Sequence, residues 1–150
     1  MKDKLRAAIH DAAINPARHP SFALKYLRGH ELSGTTQFTM TATGAYSVES
    51  NVTRDRQPFS RQGELDPRQR DSLLQLLDEN DVIAIPPSTR NIADDEEPVG
   101  LDFTEGDQAY RLMIWHGDAV KYDRFRAFER GLLALLRELS NGAVLTSPDY

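Results

Sequence analysis

Between residues 65 and 139 the chain reads as helix, loop, hairpin, helix, and that order constrains the fold more than any other feature. Asp66-Pro67 is a helix opening: the aspartate satisfies amides left over in the first turn, and proline at the first helical position presets φ. Leu73, Leu74, Leu76 and Leu77 supply a buried stripe, and Asn80 is the expected breaker. Val82 to Ile85 is a short apolar run ended by Pro86-Pro87, after which residues 88–97 read as a surface loop. Val99, Leu101 and Phe103 then alternate inward, Glu105-Gly106-Asp107-Gln108 turns the chain, and Tyr110, Leu112 and Ile114 return as the second strand. Phe125, Phe128, Leu132, Leu135, Leu136 and Leu139 form the wide apolar stripe of a closing helix, capped by Asp123 and ended by Asn141-Gly142.

The first half adds a helix and more strands. Leu5, Ala8, Ile9, Ala12 and Ala13 share a helical face behind an Asp3 cap, and Asn15-Pro16 stops it. Phe22, Leu24 and Tyr26 alternate as a half-buried strand, and residues 29–34 read as a connector. Phe38, Met40, Ala42, Tyr46 and Val48 occupy one face of a hairpin whose other face carries Thr39, Thr41, Thr43 and Ser47, with Thr43-Gly44-Ala45 as its turn. Residues 58–65 read as an edge strand or a loose return. The sum is one α+β domain over residues 1–150: an antiparallel sheet of about five strands, two or three helices packed on it in two layers, an N-terminal helix over 1–15 and a tail over 143–150.

Composition narrows the function. The chain has no cysteine, which removes disulfide scaffolds, thiolate zinc sites and cysteine nucleophiles. Its net charge of −5 disfavours non-specific nucleic-acid binding, which rests on phosphate neutralisation. The charged first dozen residues lack the apolar core of a secretory signal, and no segment has the length of a membrane span, so a cytoplasmic protein is expected.

Candidate residues are few. His10, His19, His30 and His116 show neither the i, i+4 spacing of a helical metal site nor a paired spacing on one strand, so no metal or cofactor is expected. Asp94, Asp95, Glu96 and Glu97 lack the alternation and central glycine of a calcium loop and read as a solvated or docking loop for a basic partner. Arg54, Arg56, Arg61, Arg68 and Arg70 are interleaved with acids, which cancels the local charge. No nucleophile elbow, phosphate loop or dinucleotide fingerprint is present, so no catalytic residue is assigned. On the outer face of the last strand, however, Arg111, Met113 and Trp115 would display apolar side chains of the kind enriched at interface centres, unless the first helix covers them. A protein-binding module without catalytic activity is the favoured class. The alternative is a small-ligand binder or hydrolase with a cleft near His116, Asp118 and Tyr122.

Leu65-Asp66-Pro67 leading into the leucine-rich helix, Asn80-Asp81-Val82-Ile83-Ala84-Ile85-Pro86, and the hairpin around Glu105-Gly106-Asp107 follow one another in an order that resembles the emfourin-type family. These are small bacterial protein inhibitors of thermolysin-like metalloproteases. The resemblance covers about half the chain, implies an inhibitor, and transfers no inhibitor residues, because the N-terminal half adds a helix and a longer threonine-rich hairpin. The whole-chain order of elements is also similar to class I type III secretion chaperones, which implies a small acidic cytoplasmic dimer.

Overall fold

A computed structural model describes residues 2–30, 34–89 and 97–146. Strands β1 (Ala23–His30), β2 (Gly34–Thr41), β3 (Ala45–Ser50) and β4 (Phe59–Glu64) run as a meander. The chain then crosses to the other side of β1, where β5 (Pro98–Glu105) and β6 (Gln108–Trp115) complete a six-stranded sheet in the order β4-β3-β2-β1-β5-β6. Every pairing is antiparallel, so the fold is α+β with one strand more than expected. The extra strand is β4, whose residues are nearly all exposed. As an edge strand it needs no apolar face, which is why its sequence shows no period-2 signal.

The first strand also runs further than Tyr26. Gly29, His30 and Gly34, expected in a connector, belong to the ends of the β1–β2 hairpin, with His30 opposite Gly34. Gly29 and Gly34 take φ of 103° and 93°, outside the range of L side chains. A Cβ on Gly29 would lie 2.0 Å from the Gly34 carbonyl oxygen.

Register decides which side chains share a face, because directly opposed residues on antiparallel strands point the same way. Leu24, Met40 and Phe103 make one inward row, and Tyr26, Phe38, Val48, Leu101 and Leu112 make the next; all are buried. The helices cover this face. Helix α1 (Lys2–Ile14) buries Leu5, Ile9 and Ala12, with Asp3 inside its first turn rather than capping it. It packs on α2 (Pro67–Glu79) and against β6. Asp66 and Gln69 close a capping box on α2: Gln69 N–H donates to Asp66 at 2.8 Å and Asp66 N–H to Gln69 at 3.1 Å. The residue with positive φ beyond this helix is Asp81 rather than Asn80, held by Arg6 Nε at 2.8 Å. A 3-10 turn, Val82–Ala84, then buries Val82 and Ile83.

After β6 the chain makes a four-residue helix, α3 (His116–Ala119), and enters α4 (Asp123–Leu139). Asp123 is the first residue of α4, and the cap position belongs to Tyr122. The apolar stripe of α4 is buried as expected, and Glu129 is buried with it. The described part of the expected tail is docked: Arg54 and Leu145 amides donate to Ala143 and Val52 carbonyls at 2.9 Å each, and Val144 is buried.

Candidate functional site

Among the described residues, no helix covers the sheet's second face. Its rows follow from the same registers: Gln62, Ser47, Thr39, Lys25, Asp102 and Arg111 in one, and Ser60, Glu49, Gln37, Leu27, Gly100 and Met113 in the next. Threonine, serine and small residues hollow its middle, and Ala23, Lys25, Thr39, Thr41, Ser47 and Thr104 line a shallow depression of about 430 Å³.

Arg111 and Met113 lie on this face as expected. Arg111 is exposed with Nε 3.2 Å from Asp102, and Met113 is 38% exposed. Trp115 is not displayed: it is 9% exposed at the strand end, where the chain after the 3-10 turn returns along β6. There Ser88 N–H donates to the Met113 carbonyl at 3.0 Å, and Trp115 N–H donates to Ser88 Oγ at 2.9 Å. The second exposed apolar residue is Leu27, also 38% exposed, in the same row as Met113 with Gly100 between them. Leu27 has the right parity in the sequence, opposite Leu24 and Tyr26, but lies beyond the point where the alternation of large side chains stops.

Asp94, Asp95 and Glu96 lie outside the described residues. Glu97 is not a free steering charge: its Oε2 accepts from Arg28 Nε and lies 2.7 Å from both Nε and Nη2 of that arginine. Three of the five clustered arginines also have partners. Arg61 donates to the Leu139 carbonyl and lies over the Phe59 ring, Arg68 meets Glu138 at 3.3 Å, and Arg70 meets Asp71 at 3.0 Å.

The structure brings together acidic groups that sequence spacing does not connect. His19 sits between Asp11, 2.6 Å from Nε2, and Glu105, 3.1 Å from Nδ1. The bond to Asp11 raises the His19 pKa, Glu105 adds to the effect, and burial opposes it. His10, the neighbour of Asp11 in sequence, points instead to Asp78 at 2.8 Å. Deeper in the core, Tyr26 O–H donates to Glu129 Oε2 at 2.6 Å, and Glu129 is 1% exposed. Burial pushes the Glu129 carboxyl up and the Tyr26 hydroxyl bond pulls it partly back; the Tyr26 phenol is driven well above its ordinary value. At the place expected for the alternative cleft, Asp118 accepts from Ser88 Oγ, and the described cavities beside Tyr26 and on the open face are lined by other residues.

Among the described residues no cluster of three or more His, Asp or Glu has the geometry to hold a metal ion, and no helix is long and apolar enough to cross a membrane. A scan against protein-family models finds no match, and no curated protein matches the chain.

Proposed function

We propose that the protein is a binding module for another protein, an inhibitor, adaptor or chaperone rather than an enzyme, and that its contact surface is the helix-free face of the sheet. The observation that carries this reading is the row Leu27–Gly100–Met113. Two large apolar side chains stand in solvent on either side of a residue with no side chain, leaving a slot that an apolar group of the partner fills. Arg111, Asp102 and Lys25 border the slot in the adjacent row and supply polar contacts at its rim. Six strands at their usual spacing, each about seven residues long, make a face of roughly 600 Å². That approaches the roughly 800 Å² per partner of an ordinary stable interface. The net charge of −5 favours a basic partner in the approach phase. The emfourin-like order of elements from Leu65 onward favours inhibition among the three roles, with action in the cytoplasm on a protein rather than on nucleic acid.

The test is affinity capture from native-host lysate with Leu27→Asp/Met113→Asp as control, its fold checked by circular dichroism. One near-stoichiometric protein held by the wild type and lost by the variant supports the reading. A partner held equally by both, or none at all, rejects it.

A further inference from the structure

The two edges of the sheet are treated differently. Along β6 the returning chain lies against the outer side: Ser88 N–H donates to the Met113 carbonyl, Ser88 Oγ accepts from the Trp115 amide, and Tyr110 O–H donates to the Ile85 carbonyl. Along the other edge, β4 pairs with β3 and, among the described residues, with no further strand.

The registers fix which groups this leaves facing solvent. Leu65 N–H donates to the Gly44 carbonyl at 2.8 Å, so the bonded pairs of β3 and β4 recur at every second residue from there: Gly63 with Tyr46, Arg61 with Val48, Phe59 with Ser50. On the far side of β3 the Asn51 amide donates to the Thr35 carbonyl, which gives the same alternation independently. Ser60, Gln62 and Glu64 therefore turn both backbone groups away from the sheet, and all three residues are exposed. An edge of this kind is a template for pairing with another chain. The strand has no lysine and no proline to guard it. Its one cation, Arg61, is turned to the helix side, where it donates to the Leu139 carbonyl.

We propose that β4 pairs antiparallel with β4 of a second copy of this chain, about a two-fold axis at Gln62. This register sets Gln62 opposite Gln62 and Ser60 opposite Glu64 of the second copy, and each opposed pair exchanges two backbone bonds. The Gln62 side chains meet on the helix-free face, amide to amide. On the helix side Arg61 faces Gly63 of the second copy, which is bare because the Tyr46 ring lies 3.3 Å from where its Cβ would be. The neighbouring registers are worse. An axis at Arg61 opposes two like charges, and an axis at Gly63 sets Ser60 opposite Asp66, which has left the strand to cap α2. The two copies form one continuous antiparallel sheet with both helix-free faces on the same side. The face proposed for a protein partner is thereby doubled and left uncovered, and the pairing does not depend on that reading. A contact one strand deep is small, so the dimer forms at about 10–100 μM chain rather than at nanomolar concentration.

Sedimentation equilibrium of the full chain from about 5 μM to about 1 mM tests the proposal at concentrations that bracket that range. The expected result is a mass that rises with concentration from one chain towards two, with amide hydrogen exchange slowing at Ser60, Gln62 and Glu64 over the same range. Gln62→Pro removes the central donor; its N–H faces solvent in the single chain, so the fold survives, while association weakens about tenfold or more. Gln62→Thr keeps the donor and the dimer. Leu27→Asp/Met113→Asp, which disables the face proposed for the partner, leaves self-association unchanged, so failure of one reading is distinguishable from failure of the other. A single chain at every concentration, exchange that slows elsewhere, or a dimer indifferent to Gln62→Pro or lost with Leu27→Asp/Met113→Asp would each overturn the proposal. The exchange measurement needs only the wild type and stands even if the proline variant does not fold.

Discussion

The bond between Tyr26 and Glu129 joins the middle of β1 to α4 across 103 positions of sequence, and it should be measurable as a coupling energy. Tyr26→Phe keeps the buried ring and removes the one hydroxyl that serves the carboxyl. A bond to an ionised group contributes about 1.5–3 kcal/mol, and orphaning a neutral buried acid costs a similar amount, so a loss of about 2 kcal/mol is expected. For a chain of this length that lowers the Tm by about 4–8 °C. Glu129→Leu removes a buried carboxyl but strands the Tyr26 hydroxyl, which is fully buried and costs about 1–3 kcal/mol if left alone. Removing both partners together in Tyr26→Phe/Glu129→Leu leaves no orphan, and the double variant should lie close to the wild type. Urea unfolding of the four proteins gives the coupling directly.

The pH dependence carries the sign. Glu129 has its folded pKa raised above the unfolded carboxyl value, so the folded state holds the proton more tightly. Its contribution to stability is therefore greatest at low pH and falls as the pH rises from the unfolded value through the folded one. Tyr26→Phe raises the folded value further, so its penalty should be larger at neutral than at acid pH, and Glu129→Leu should abolish the slope. Double-variant stability equal to the sum of the two single losses would refute this account of the pair.

Three further outcomes follow from the packing. His19 has a raised folded pKa, so the stability it contributes should be complete below its unfolded value near 6.5 and lost as the pH climbs through the higher folded value; His19→Gln should flatten that part of a urea-unfolding pH profile. Asp66→Ala should lose the capping box and about 1 kcal/mol, read by the same assay, and a silent substitution would remove the cap from the account of α2. Gly29→Ala should cost about 3 kcal/mol, since its Cβ meets backbone at a positive φ; a loss below about 1 kcal/mol would show that the hairpin can re-form around it.

What was legible in the sequence was whatever a local pattern specifies. The Asp66-Pro67 opening, the Gly106 turn between β5 and β6 and the stripe of α4 each occupy consecutive residues with their own chemical reason, and each is where the pattern places it. The misplaced features depend on pieces of chain far apart. Trp115 has the parity of an exposed residue and is 9% exposed at a strand end to whose backbone Ser88 bonds. Glu97 reads as part of an acidic surface run and is withdrawn by Arg28 from a strand 69 positions away. Glu129 did have a signal: it falls between Phe125, Phe128 and Leu132 on the buried stripe, where a carboxyl must find a donor. The identity of that donor was hidden, because Tyr26 reads as an ordinary inward residue.

Polarity along the inward face explains why the cavity beside Tyr26 lies where it does. Toward one end of the sheet the inward rows are Leu24, Met40 and Phe103, then Tyr26, Phe38, Val48, Leu101 and Leu112, which apolar helix side chains fill completely. The next row places Arg28, Thr36 and Ser50 on β1, β2 and β3 in the same inward position, and continues on β5 and β6 with the buried apolar Val99 and Ile114. Leucines on α4 cannot close over a guanidinium and two hydroxyls without stranding them, so these groups bind Glu97 and each other and the helix layer leaves open space above. Tyr26 stands at the boundary between the two regimes, with its ring in the apolar core and its hydroxyl at the polar end. Glu129 faces that hydroxyl from the other layer. The space, the buried acid and the inward polar groups thus have one cause, a change from apolar to polar residues between the second and third inward rows on β1, β2 and β3, while the opposite face of the same strands alternates independently.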